Sequence, residues 1–111
     1  MISAVDSRIV IVLTTLSADA DADALAQTLI EERLVACVNI LPVKTVYSWK
    51  DKIEKIPEQQ VLIKTTAGRV QALETRLHQL HGYEVPEFLV VRVDAAADSY
   101  RDWVRDWVAV E

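Results

Sequence analysis

The chain has 111 residues, 51% of them hydrophobic and 26% charged, which is globular composition with room for a single domain, 1–111, and a core over about 8–108. The formal net charge is −5 with Lys and Arg scattered, which excludes a general phosphate-backbone binder, so no nucleic-acid partner is expected. One cysteine, Cys37, excludes an intrachain disulfide, and no run approaches the ~18 apolar residues of a membrane span, so a cytoplasmic protein without membrane insertion is expected.

Ile9 to Leu13 is a continuous apolar, mostly β-branched run and predicts a central strand that is apolar on both faces. Ser17 and Asp19 supply helix-start signals. Ala22, Leu25, Ala26, Leu29, Ile30 and Leu34 keep helical spacing, so a first helix is expected to reach about Leu34. Cys37 to Trp49 reads as a second strand. Pro42 lies inside it and cannot donate to a ladder, which confines this strand to a sheet edge or a bulge. Asp51 to Glu54 reads as a polar hairpin tip and Val61 to Ile63 as a third strand. Thr66 and Gly68 open a second helix whose buried stripe is Val70, Leu73, Leu77 and Leu80, with Gly82 as its stop. Pro86 precedes a fourth strand, Phe88 to Val93. Ser99 and Asp102 have the spacing of a capping box for a last helix carrying Tyr100, Trp103, Val104, Trp107 and Val108.

Strand, helix, strand, strand, helix, strand is the split pattern of an α+β ferredoxin-like βαββαβ sandwich, here with one added C-terminal helix. Right-handed crossovers put both main helices on one face, and the order 4-1-3-2 puts the second strand at an edge. The other face stays apolar, because Ile11 and Leu62 alternate with Val10, Val12, Val61 and Ile63. Such a patch on a monomer would be sticky, so association with further copies is expected, with the last helix as a partial cover.

Six stretches carry a resemblance: Val12 to Thr15; Leu34 to Ile40; Tyr47-Ser48-Trp49; Ile63 to Thr66; His81 to Glu87; and Tyr100 with Trp103. In this order and spacing they resemble the CutA divalent-cation tolerance family. The resemblance implies a ferredoxin-like protomer related in architecture to PII signalling proteins. It also implies a homotrimer with strands extending across subunits, and a part in tolerance of divalent cations, copper especially, with no defined enzymatic activity. Some members carry Cys where this chain has Thr14, and a His pair where it has Leu80 and His81; those residues have been taken as copper ligands. Only His81 matches, and Thr14 is a poor ligand for a soft metal.

The candidate metal ligands are therefore His81 first and Cys37 second, with Glu84 or Glu87 as further donors. Cys37 reads first as a small buried core residue of a strand and only then as a ligand, and His78 as a solvated surface residue. Lys64 and Glu87 lie at strand ends and read as an interfacial salt bridge. The alternative is an anion pocket of Lys64, Trp49 and Tyr83 at a subunit cleft. Trp49, Trp103 and Trp107 read as core or interface anchors. No phosphate-binding glycine loop, Cys-x-x-Cys pair or hydrolytic triad is legible, and Asp19, Asp21 and Asp23 lack the rest of an EF-hand. The expected function is non-enzymatic: a trimeric metal-tolerance protein binding copper or another divalent cation weakly or conditionally, with no obligatory cofactor. The alternative is a PII-like trimeric sensor or scaffold that takes a small anion or a partner protein at intersubunit clefts.

Overall fold

In the computed structural model, which describes residues 7–109, the elements follow as β1 (Ile9–Ser17), α1 (Ala22–Glu31), β2 (Cys37–Trp49), β3 (Lys52–Thr66), α2 (Val70–Leu80), β4 (Leu89–Arg92) and α3 (Asp98–Val108). A 3-10 turn, Ala67–Arg69, leads into α2. All strand pairs are antiparallel and the order is β2-β3-β1-β4. This is the expected ferredoxin-like sheet, with Pro42 on an outer strand, where a residue without an N–H is tolerated.

Pairing register divides the sheet into two faces. Val12 lies opposite Ile63, and Thr14 opposite Val61. With Val10 and Leu16 they form one face, buried against Leu29 of α1 and Leu73 and Leu77 of α2. The second face runs through Ile11 and Lys64, Leu13 and Leu62, Thr15 and Gln60, and Ser17 and Glu58. Across β4 it continues into Val91 and Leu89, and across β2 into Cys37 and Asn39. The last helix covers one end of this face, where Val104 and Val108 pack on Ile9 and Ala36. Beyond it Leu89 and Val91 remain 54% and 45% exposed.

Several element boundaries differ from those expected. Helix α1 stops at Glu31, short of Leu34, because Arg33 adopts φ 60. The Arg33 N–H bonds to the Ile30 carbonyl and the Leu34 N–H to the Leu29 carbonyl, the paired bonds of a Schellman ending. Leu34 is buried as the residue that folds back on the helix rather than as part of it. The N-cap of α1 is Asp21, whose carboxylate accepts the Ala24 N–H, and not Ser17 or Asp19. Strand β3 spans 15 residues, and the hairpin tip is only Lys50-Asp51, both at positive φ. Two such residues form the tight turn that matches strand twist. Gly82 takes no positive φ, and α2 ends with His81 extended (φ −86, ψ 142). Leu80 is exposed rather than part of the buried stripe. Among the described residues no side chain caps α3, whose N-cap is Ala97, so Ser99 and Asp102 form no capping box; Asp98 pairs instead with Arg101.

Candidate functional site

The extended backbone at His81 ends α2 and carries residues 82–87 across the end of the sheet that α3 leaves open. Two bonds fix the imidazole. Nε2 donates to the Thr15 carbonyl at 2.6 Å, and Nδ1 accepts the Tyr83 N–H at 3.0 Å. A backbone carbonyl can only accept and a backbone N–H can only donate, so this pattern defines the neutral tautomer with hydrogen on Nε2. The His81 and Tyr83 rings then meet at 4.9 Å between centroids.

Tyr83 hands the contact on to β3. Its phenol donates to Glu58 Oε2 at 2.6 Å. Burial pushes the phenol pKa up, and the hydrogen bond to Glu58 raises it further, so the proton stays on the tyrosine. Glu58 is only 5% exposed. Two residues along, Gln60 Nε2 donates both to the Thr14 carbonyl and to Glu87 Oε2, at 2.9 and 3.0 Å. These bonds tie residues 82–87 onto β1 and β3, and a cleft of about 630 Å³ lies between that segment and the outer part of the β2–β3 hairpin. Its walls include Tyr47, Trp49, Tyr83, Glu58, Glu84 and Glu87.

The structure thus places Trp49, Tyr83 and Glu87 around one cleft, but in one protomer Lys64 is not among the lining residues. Lys64 lies on the same face at its other end, four residues along β3 from Gln60, roughly 13 Å at strand rise. Its ammonium donates to Asn39 Oδ1 and lies 4.0 Å from Cys37 Sγ. Cys37 is half-buried beside it, and Tyr100 of α3 has its phenol pKa raised by burial and by Cys37. His81 and Cys37 therefore sit at opposite ends of one sheet face and do not converge within a protomer. Among the described residues no group of three His, Cys, Asp or Glu side chains is placed to hold a metal ion. His78 is exposed, with Nδ1 against the Glu74 carbonyl.

Sequence reasoning missed Glu58, Gln60 and Tyr47. The signal was present in alternation, since Glu58, Gln60, Leu62 and Lys64 share a face, but nothing in the chain announces that residues 82–87 fold back onto its polar end. Trp107 is an anchor as expected: its indole donates to the Ile30 carbonyl at 3.0 Å, and Arg33 lies 3.8 Å from its ring centroid. Trp103 stays half exposed.

The family profile described as CutA1 divalent ion tolerance protein matches residues 10–107. A divalent-cation tolerance protein CutA from Pectobacterium atrosepticum is 43% identical over 96 residues, covering 86% of this chain and 87% of that protein. Among solved structures, CutA from Synechococcus elongatus PCC7942 superposes with a TM-score of 0.88 at 38% identity, covering 93% of this chain and 92% of that one. The PII-like protein CutA from Nostoc sp. PCC 7120 gives 0.85 at 36% identity, covering 92% and 99%.

Proposed function

The chain belongs to the CutA1 divalent ion tolerance family, and from that premise we propose that it is a non-enzymatic, cytoplasmic divalent-cation tolerance protein that binds copper or a similar ion weakly at His81. The observation that carries this reading is the hydrogen bonding of the imidazole. A ligating histidine generally donates its second ring N–H to a carbonyl or carboxylate, which fixes the tautomer and aims the lone pair. The Thr15 carbonyl already stands in that role, 2.6 Å from Nε2. The Nδ1 lone pair is occupied only by the backbone N–H of Tyr83. An ion must displace that bond, at a net cost of about 1 kcal/mol, which makes the binding conditional. Glu84 and Glu87 on the same segment are the nearest carboxylate donors in sequence. Cys37 ranks second, because the Lys64 ammonium beside its sulfur repels a metal cation.

The working assembly in this reading is a homotrimer. Leu89, Val91 and Trp103 are large, apolar and half exposed, and a second copy is the simplest cover for them. Binding of a small anion at the cleft has less support, since among the described residues of one protomer its lining holds three carboxylates and no Lys or Arg.

Calorimetric titration of copper and zinc into wild type, His81→Ala and Cys37→Ser tests the metal site. Saturable binding is expected in wild type and Cys37→Ser, weakened about tenfold or more in His81→Ala, the scale of a lost ligand. Equal affinity in wild type and His81→Ala would remove the histidine. Loss confined to Cys37→Ser would move the site to the thiol.

A further inference from the structure

The geometry points to the hydrogen bond between the Tyr83 phenol and Glu58 as a catch that keeps the His81 imidazole bonded to the protein's own backbone, and so sets how readily a divalent cation takes Nδ1. This inference rests on the metal-binding reading above and names what regulates that site.

The first support is how the segment after α2 is fastened. Among the described residues, 82–87 make no backbone–backbone hydrogen bond. Side chains hold them instead: His81 Nε2 on the Thr15 carbonyl, the Tyr83 phenol on Glu58, and the Gln60 amide on Glu87. A segment without ladder bonds opens locally while the sheet stays folded. Tyr83 is held through both its main chain and its side chain. Its N–H donates to His81 Nδ1 at 3.0 Å and its hydroxyl to Glu58 Oε2 at 2.6 Å.

The second support is that these two bonds are linked. An N–H that leaves Nδ1 carries the Tyr83 backbone with it, and the Tyr83 ring already rests 4.9 Å from the imidazole. The far end of that ring is fastened to a fixed point, because Glu58 lies on β3 and is paired on one side with Ser17 and on the other with Val43. An ion at Nδ1 therefore competes with the bond at the imidazole and works against the bond at Glu58 as well. Apparent affinity falls by the fraction of molecules in which Nδ1 is free. The linkage is reciprocal, so an ion on His81 loosens Tyr83. Tyr83 and Glu58 act through the backbone at residue 83; they are positioning residues and not ligands.

Zinc titrated calorimetrically into wild type, Tyr83→Phe, Glu58→Gln and His81→Ala, together with amide hydrogen exchange at residue 83 in the same proteins, tests the catch. Tyr83→Phe keeps the ring and removes the hydroxyl, so zinc should bind about two- to tenfold tighter, the worth of one hydrogen bond. In the metal-free protein its residue-83 amide should exchange faster by a similar factor. Glu58→Gln keeps an oxygen that accepts the phenol hydrogen, so affinity and exchange should both stay near wild type. Zinc saturation should speed exchange at Tyr83 in wild type. Unchanged or weaker zinc binding in Tyr83→Phe, with binding lost in His81→Ala, overturns the catch and leaves His81 as a ligand. A loss in Glu58→Gln as large as that in His81→Ala overturns it by making Glu58 a ligand. Equal affinity in wild type and His81→Ala overturns the metal reading and the catch with it.

Discussion

Thr14 is fully buried on the helix-covered face of β1, between Val12 and Leu16 and opposite Val61, and among the described residues its Oγ1 has no hydrogen-bond partner. A hydroxyl left unpaired in a dry core costs about 1–3 kcal/mol, whereas valine keeps nearly the same shape without the polar atom. Thr14→Val should therefore raise the unfolding free energy by about 1–2 kcal/mol in urea denaturation; a decrease would mean that the hydroxyl is satisfied after all. On the surface, the Arg76 guanidinium donates from Nε and Nη2 to the two Glu32 oxygens, at 2.9 and 2.8 Å. That hydrogen bonding holds the Glu32 carboxyl below its ordinary 4.5, against a smaller opposing effect of desolvation. A depressed folded-state pKa gives stability that is present above the unfolded value and lost as pH falls through the folded one. In Glu32→Gln, melting temperature should fall less than in wild type on acidification below pH 4.5. The difference should be small, because the pair is exposed to solvent.

Among the elements, the end of α1 shows where local sequence misleads. Leu34 keeps helical spacing after Ile30, yet Arg33 turns left-handed and the chain leaves the helix. Glycine is the usual residue at such a position. Arginine is held there by contacts far along the chain, its Nη1 on the Trp107 carbonyl at 3.2 Å and its guanidinium over the Trp107 ring. Arg33→Ala loses those contacts and keeps the backbone strain, while Arg33→Gly loses them and relieves it. Alanine should therefore be less stable than glycine by about 1–2 kcal/mol, the cost of a left-handed side-chain residue, as read from denaturation midpoints. Strand β2 was legible to the residue, since its β-branched and aromatic run ends at the Lys50-Asp51 turn. The outer half of β3 was not. Lys52 to Pro57 mixes Lys, Glu, Ile and Pro, because both faces of the overhanging ribbon meet water and no buried side imposes alternation. Ile53, 75% exposed, is the exception that a protomer alone does not explain.

At the scale of the molecule, strand order, helix placement and a half-covered second face were all readable, because hydrophobic alternation and Pro42 constrain them. The cleft was only partly readable, since its acidic wall depends on residues 82–87 folding back onto β3, a contact between segments more than twenty residues apart. The proposed trimer makes its own prediction. Val91→Asp places a carboxylate on the exposed strip beside Ile11, away from the protomer's buried core. It should shift sedimentation from trimer toward monomer at micromolar concentration with the protomer still folded, because an unpaired charge in a dry interface is strongly disfavoured. Val12→Asp, at a site with no exposure, should instead abolish folding. A monomeric wild type would sink the trimer.

The long hairpin gives the molecule its 50 Å axis, and β1 reaches along it only as far as Glu58. Beyond that point Lys44 to Trp49 and Lys52 to Pro57 pair only with each other. An isolated two-stranded ribbon is marginal in water, so it can fray from its tip while the helix-backed sheet stays shut. Amide hydrogen exchange in a dilute, unassembled protomer should therefore run as a gradient, fast near Ile53 and slowing toward Val61 and Ile63. If neighbouring copies grip the ribbon, raising the concentration should slow exchange over 44–57 and leave Val12 and Ile63 unchanged, so that these outer amides report residue by residue on assembly.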